Sequence, residues 1–565
     1  MASNQYDTII FDIGDVLFDW DASAITALPP KMIRLMMHTE TWHELDRNTV
    51  PTDKAYQILG NQFDVDPSLV RLALEQAQST LRVNDEALDF IHELAAAKAR
   101  DAGQIKVYAM SNIAEEHMGF IKKIPSFPWS IFDRVFTSFG AGMRKPDLCF
   151  YRHVIQETGC NPSSTLYLDD KPENICAGRL LGLRGEIVDP HQRSRAFNIA
   201  RNLLLKDASR RAERFLYTHA GKLDSVISGA GRDVVLEDNF AQLLIWGLTG
   251  MGGIVYLGWP DGALTGGYQE QPDMVGPASP APASDDSFSS SSDRSSTCLN
   301  DSAASVYSEE QEFSTKQSLW NYFARNHTPE SKAFPPDLDT TSIAYMTVPP
   351  THPYHHRLAH PALTAEAMFA NRDAEGYFET YFSSDRRGRV NPEVSVSVLR
   401  FLNKFGSAGQ IPGIPNLDVK DERIDKTKKL VVDCLARRAS LYGNRYYPHP
   451  ETFLYYVSML CSECKDTSPN LHADLAENLE QALMERLHVS INALALAMRV
   501  RACQLAGLRT ELVQPDLDSL LGMQEADGGW PAGDFCCHGK AQSMRIGSRG
   551  LTTALAWRIL KDYNL

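Results

Sequence analysis

Thr8-Ile-Ile-Phe11-Asp12-Ile-Gly14-Asp15-Val-Leu17 is the stretch that decides how the first half of the chain folds. Apolar, β-prone residues run without alternation into an aspartate, the pattern of a strand buried on both faces that ends at an acid. The same grammar returns at Ile105 to Met110, leading into Ser111-Asn112, and at Thr165 to Leu168, leading into Asp169-Asp170. Helical patterns lie between. Polar groups gathered at the carboxyl ends of buried parallel strands are where an open α/β sheet builds its site. An α/β doubly wound domain is therefore predicted for residues 1 to about 205. Residues of about 20 to 85 read as helical and fall between the first strand and the next, as a helical cap inserted over that site.

Four motifs in order make this half resemble the haloacid dehalogenase superfamily: Asp12, Ser111 followed by Asn112, Lys145 of Arg144-Lys-Pro-Asp147, and the pair Asp169-Asp170. The resemblance implies that Asp12 is a nucleophile, that Ser111 and Asn112 bind phosphate and that Lys145 balances charge. It also implies Mg2+ held by Asp12, the backbone carbonyl of Gly14, Asp169 and Asp170. The chemistry is coherent, since a carboxylate attacking phosphorus needs cations to offset the charge gathering on oxygen. The competing reading makes Asp12 and Asp170 surface turn residues. One departure stands out: phosphatases of this superfamily carry a second Asp two residues after the nucleophile, as acid for the leaving oxygen, and here that place is Gly14. Asp15, one position late, is a substitute. A phosphate leaves with less help than an alkoxide. Cleavage of a diphosphate to a monophosphate is thus expected to outrun release of the alcohol.

In the second half the decisive stretch is Phe334-Pro-Pro-Asp337-Leu-Asp339-Thr340-Thr341-Ser342. Pro335 and Pro336 keep a helix from running in, so two carboxylates stand two residues apart at a rigid entry. Neighbouring carboxyls raise one another's pKa, and an apolar pocket raises it further, so one of them can stay protonated as a proton donor. The plainer reading is that one of them caps a helix starting near Thr340. The run Asp337-Leu-Asp339-Thr340-Thr341 resembles the Asp-x-Asp-Thr-Thr of class II terpene cyclases of the drimane type. That implies that Asp339 protonates the terminal alkene of a linear isoprenoid diphosphate, farnesyl diphosphate in this family, that Asp337 tunes it, and that Thr340 and Thr341 line the substrate site. Asn391-Pro392 and His449-Pro450 read as helix starts, followed by apolar residues at helical spacing. Gly376 to Pro392, Gly443-Asn-Arg-Tyr-Tyr447 and Gln524 to Trp530 are similar to the repeats of terpene cyclase α/α barrels. An all-α domain over residues 206–565 is therefore expected, with a disordered Pro/Ser/Ala/Asp-rich insert at about 269–308. Trp320, Tyr322, Phe323, Tyr377, Tyr381, Tyr446, Tyr447, Tyr455 and Trp530 are candidates to face a carbocation, which ring faces attract. Arg545 and Arg549 are candidates to clamp a diphosphate, or to form structural salt bridges.

Composition closes off other classes. The chain has 565 residues, 43% apolar and 22% charged, enough for two or more domains with sizeable cores. A net charge of -15 argues against nucleic acid as a partner. The amino-terminal residues show no basic and apolar leader pattern, which points to the cytosol. Phe240 to Trp259 is apolar but glycine-rich, read as a buried helix and turn rather than a membrane span. Cys461-x-x-Cys464 and Cys536-Cys-His538 are candidate zinc ligands, with reduced thiols as the default. Asp169-Asp-Lys-Pro-Glu173 mimics a class I terpene synthase magnesium motif, but it follows a strand and is assigned to the dehalogenase-like site.

Overall fold

The computed structural model describes residues 6–100, 104–205, 207–229, 233–266, 318–325, 334–383, 390–537 and 544–565. The insert expected at 269–308 lies outside them. The chain forms two compact units. The first runs to Arg210 and also takes Asp518–Ala526 and Leu560–Leu565; the second takes Arg211–Leu517 and Asp527–Ile559. A boundary near residue 205 was expected from the run of strands and helices, and the two short returns were not.

The first unit is built on a five-stranded sheet, β1 (Thr8–Phe11), β2 (Lys106–Ser111), β3 (Arg134–Thr137), β4 (Thr165–Asp169) and β5 (Arg184–Ile187), in the order β3-β2-β1-β4-β5. Its strands are parallel, with Thr8 opposite both Lys106 and Thr165, and Phe11 opposite Ala109 and Leu168. Every residue of β1 and β4 is buried, which is why their sequences do not alternate. Because β2, β1 and β4 are neighbours of one direction, their carboxyl ends lie side by side and bring Ser111, Asp12 and Asp169 to one edge. Between β1 and β2 comes a helical insert of α1 (Pro30–Met37), α2 (Glu40–Asp46), α3 (Thr52–Phe63) and α4 (Pro67–Ser79). Ile33, Met36, Trp42, Leu45, Tyr56 and Leu59 give it a core of its own. Thr39 starts α2 by accepting the Trp42 N–H, and Asp66 followed by Pro67 starts α4.

The second unit is mostly helical. Along the chain α5 (Asn239–Thr249), α6 (Leu338–Thr347), α7 (Pro392–Ser407), α8 (Pro450–Thr467) and α9 (Ala493–Leu505) each pack on the next. Helices Asp425–Ala436 and Pro469–Met484 lie against α7 and α8. Their starts are written locally: Asp238, Asp337, Asn391 and Asn492 cap α5, α6, α7 and α9 with their side chains, and proline takes the first turn of α7 and α8. Val394, Val398, Phe401 and Leu402 on α7, and Phe453, Val457 and Leu460 on α8, are buried, the stripes read from spacing.

The unit is not helical throughout. A four-stranded antiparallel sheet joins β6 (Ser225–Ser228), β7 (Val234–Leu236), β8 (Gly533–Cys537) and β9 (Arg545–Ser548) in the order β8-β9-β6-β7. Between 206 and 237, where an all-α domain was expected, the described residues are helical only over Ala208–Thr218. The strands escaped because each is short and β6 finds its partner far along the chain, Ser228 opposite Arg545. The apolar run from Phe240 ends as a helix at Gly250, φ +73°, and turns into a short strand at Tyr256–Gly258. Among the described residues no helix is long and apolar enough to cross a membrane.

Candidate active sites

In the first unit the sheet register does the assembling. The Asp12 N–H donates to the Leu168 carbonyl at 2.8 Å, fixing the end of β1 against the end of β4. Lys145, 1% exposed, places Nζ 2.9 Å from Asp12 and 2.6 Å from Asp169. Asp169 also accepts from the Tyr167 hydroxyl, the Lys171 N–H and the Asn174 amide. Burial works against the Asp169 carboxylate, yet Lys145 and these donors outweigh it and hold its carboxyl below the usual range. Burial raises Asp12, and Lys145 opposes that rise. Burial also works against the Lys145 ammonium, but the two carboxylates overcome it and hold the charge in place.

Asp12, Asp169 and Asp170 offer carboxylate oxygens within 4.8 Å of one another. Asp170 Oδ1 is buried with no hydrogen-bond partner, as an oxygen meant for a cation would be. The residues therefore fit a hard divalent cation, with Asp12 and Asp170 as the open ligands and Asp169 already engaged by its donors. Ser111 is buried at the end of β2, as expected. Asn112 has a different task from phosphate binding. Its amide donates to the Lys145 carbonyl at 2.8 Å and its oxygen accepts the Lys145 N–H at 2.7 Å, so it clamps the loop that delivers the lysine.

In the second unit the prolines end the extended approach and α6 starts at Leu338. Asp337 is its N-cap, with its carboxylate accepting the Thr340 N–H at 2.7 Å and the Thr340 hydroxyl at 2.9 Å. Thr341 accepts the Trp320 N–H at 2.9 Å. Thr340 and Thr341 are thus tied into the fold rather than presented to a ligand; both are fully buried. The plain reading of the motif holds for Asp337, a cap, while Asp339, two residues on in the first turn, is left for other work.

Asp339 is 3% exposed. Its Oδ2 accepts the Tyr447 hydroxyl, and its Oδ1 has no hydrogen-bond partner among the described residues. Burial pushes its carboxyl up to about 6, opposed by the Ser397 and Tyr447 hydroxyls and, from further off, by Arg400. Burial carries Asp337 to about 7, against the Thr340 N–H. Two sets of rings touch: Tyr447 and Tyr456 at 6.1 Å, and Phe535, Phe240, Tyr322, Phe334, Tyr381 and Tyr446 in succession at 5.4–6.3 Å. Asp337 pairs through its backbone with Tyr381, so the longer series passes beside the motif.

Two residues that sequence reasoning did not single out hold this site together. Asn444 accepts the N–H groups of Tyr446 and Tyr447 at 2.8 and 3.0 Å, and donates to Glu393 at 2.8 Å. Glu393, at the start of α7, is fully buried and pushed up to about 8 by that burial. The signal was present, since Asn444 lies inside the quoted Gly443–Tyr447 motif and Glu393 directly follows Asn391-Pro392. Gly443 closes the same turn at φ +63°, where a Cβ would meet Tyr447 and Pro448 backbone atoms at 2.5 Å.

Other candidates fall elsewhere. Arg549 pairs with Asp527 at 2.9 Å and lies over the Phe215 ring, and Arg545 lies 3.2 Å from Cys537 and 3.6 Å from Asp534. Trp320 stays beside the motif, its carbonyl accepting the Asp337 N–H at 3.1 Å, and packs on Trp259. Among the described residues the acidic trio of the first unit is the only set placed to share a metal; Cys461 instead meets His472 at 3.3 Å, and His538 lies outside those residues. Glu173 sits in the first turn of a helix that follows β4, in keeping with the dehalogenase-like assignment of Asp169 to Glu173.

A parallel sheet carrying Asp12, Lys145 and an acidic pair, joined to a helical unit with a buried Asp-x-Asp-Thr-Thr, defines a two-part enzyme, a class II terpene cyclase with a phosphatase-type domain. Residues 297–405 match the model of the sesquiterpene cyclase astC-like C-terminal domain. The drimenol cyclase drtB of Aspergillus calidoustus is 29% identical over 97% of this chain and 86% of its own length. The sesquiterpene phosphatase astK of Aspergillus oryzae is 32% identical over 32% of this chain and 88% of its own length. A haloacid dehalogenase family enzyme of Bacteroides thetaiotaomicron, solved with magnesium and inorganic phosphate, aligns with 33% of this chain and 96% of its own at 17% identity and a TM-score of 0.27. The chain belongs to the drimane-type sesquiterpene synthases in which a haloacid dehalogenase-like domain is fused to a class II terpene cyclase domain.

Proposed function

We propose that the second unit cyclises farnesyl diphosphate to a bicyclic drimane-type diphosphate of the drimenyl or albicanyl kind, and that the first unit then removes one or both phosphates. The observation that carries the reading is the Asp339 carboxyl. With Oδ2 accepting from Tyr447, the proton of the neutral acid belongs on Oδ1, which accepts no hydrogen bond within ordinary reach among the described residues. That proton passes to the terminal alkene, whose π electrons form the new C–H bond; the cation left behind is attacked in turn by the internal alkenes, closing two rings. Loss of a proton ends the sequence with the diphosphate intact. Aromatic faces favour the cation without offering it a lone pair. Likeness to drimenol cyclase drtB over nearly the whole chain supports the drimane class.

In the first unit Asp12 attacks phosphorus while Lys145 offsets the oxygen charge. Mg2+, held by Asp12, Asp170, Asp169 and the Gly14 carbonyl, would neutralise phosphate oxygens there. The test uses the full chain with farnesyl diphosphate and Mg2+, with products identified by mass spectrometry before and after added phosphatase. Cyclic products are expected from the native chain and none from Asp339→Ala. Unchanged cyclic product from Asp339→Ala would overturn the cyclase assignment and leave the helical unit as a binding domain on a phosphatase.

A further inference from the structure

Gly14 leaves the first site without the acid that normally serves the leaving oxygen, and it leaves room there too. A Cβ built on Gly14 meets nothing within 4 Å. The half-buried Asp15 has φ +56° and its N–H donates to Phe18. Asp46, the last residue of α2, is 4% exposed. It is bolted to the phosphate-binding loops at two points. Its backbone carbonyl accepts the Ser138 hydroxyl at 2.7 Å, and the same hydroxyl oxygen accepts the Ile113 N–H at 2.9 Å, two residues beyond Ser111. Its carboxyl lies 3.7 Å from Arg144, the residue before Lys145. The charged groups acting on it are Arg144, Lys171 and Arg47; Lys171 in turn faces Asp170, Asp12 and Asp169. His43, one turn back on α2, faces Arg144, Glu40 and Arg47.

We propose that Asp46, carried by the helical insert, is the general acid that protonates the leaving oxygen in the first unit, in the role left open by Gly14. This rests on the phosphatase reading of Asp12. In the forward step an Asp12 carboxylate oxygen bonds to phosphorus, the bond from phosphorus to the leaving oxygen breaks, and that oxygen takes the Asp46 proton. In the return step water adds to phosphorus and gives its proton to bulk water, the aspartyl–phosphate bond breaks to release phosphate and Asp12, and Asp46 regains its proton from solvent. Burial agrees with the assignment, pushing Asp46 up to about 7 against the pull of its cationic neighbours. The end of α2, negative in its dipole, acts in the same sense. With Asp46 in place, the site is equipped to free the alcohol as well as to trim a diphosphate.

The experiment compares two substrates on the full chain with Mg2+. p-Nitrophenyl phosphate releases an acidic phenol that leaves without a proton, and farnesyl monophosphate releases an alkoxide that needs one. Asp46→Asn is expected to lose about 10²–10⁴-fold on farnesyl monophosphate, while p-nitrophenyl phosphate hydrolysis stays within about threefold. Gly14→Asp in the Asp46→Asn background is expected to restore at least part of the lost activity, since space for that side chain is present. Equal loss on both substrates would make Asp46 structural, and no loss on either would return the role to Asp15; each overturns the proposal. Failure of the underlying phosphatase reading is separate: Asp12→Asn would then leave p-nitrophenyl phosphate hydrolysis unchanged.

Discussion

Asp12 and Asp339 are the same residue type at almost the same depth, 5% and 3% exposed, in opposite surroundings. Asp12 has a lysine ammonium at 2.9 Å, which a second carboxylate shares. Asp339 has a tyrosine hydroxyl and no cation in contact among the described residues. Burial penalises a charged carboxylate in both places. Burial raises both, Asp12 to about 7 and Asp339 to about 6, so titration does not separate them; the partner does, since an ammonium in contact pairs with a carboxylate while a hydroxyl leaves an acid its proton. The first environment is therefore suited to a carboxylate that acts as an anion, the second to one that acts as an acid. Depth alone tells nothing about which chemistry a carboxyl will perform; the nearest charged atom decides it.

The sharpest way to break this comparison is to exchange amides for the two acids in turn. Asp339→Asn removes the transferable proton with little change of shape, and cyclisation is expected to fall by about 10²–10⁴-fold while phosphate release from a linear substrate continues. Asp12→Asn removes the nucleophile, and the product is expected to keep its rings and both phosphates. Product mass and ring count from one farnesyl diphosphate incubation read both outcomes. If either amide abolished both activities, the division of labour between the two carboxyls would be wrong.

Tyr447→Phe is expected to act more mildly and to sharpen the comparison. The tyrosine hydroxyl holds the Asp339 carboxyl down against burial, so its removal lets the carboxyl rise further. The acid is then more fully protonated at neutral pH but weaker, and kcat for cyclisation is expected to fall roughly tenfold, with the alkaline limb of its pH profile displaced upward. A fall in kcat with no displacement of that limb would mean that Tyr447 only shapes the site.

What the sequence disclosed, and what it withheld, follows from distance along the chain. β1, β2 and β4 are apolar runs that end in polar residues, and both Asp12 and Asp339 sit in contiguous motifs, so they could be read directly. Tyr447 meets Asp339 from 108 residues away, and no local pattern announces such a pairing. The sheet of β6 to β9 was missed for the same reason. Asn112, Thr340 and Thr341 erred the other way. Their position in a motif pointed to ligand binding, but the Lys145 loop, the Asp337 cap and the Trp320 N–H have taken their polar atoms. A hydroxyl or amide next to a site belongs first to whichever backbone group lacks a partner.

The smallest expected effect concerns stability, and it uses four buried acids of the second unit that have no cation in contact among the described residues. Burial carries Asp238 and Asp337 to about 7, Asp339 to about 6 and Glu393 to about 8. In the unfolded chain such groups titrate near about 4. Between about 4 and 8 the folded unit therefore holds protons that the unfolded chain has released, and stability falls as pH rises. The stabilising contribution is complete below the unfolded values and is lost as pH climbs through the folded ones. Glu393→Gln isolates one of the four, because a glutamine oxygen still accepts from Asn444 and carries no proton to lose. Thermal midpoints of the native chain and Glu393→Gln are expected to separate progressively between about pH 5 and pH 8 and to keep a steady gap above that, with the variant the more stable. A gap that stayed constant with pH would show that Glu393 is ionised throughout, and that a compensating charge stands beside it after all.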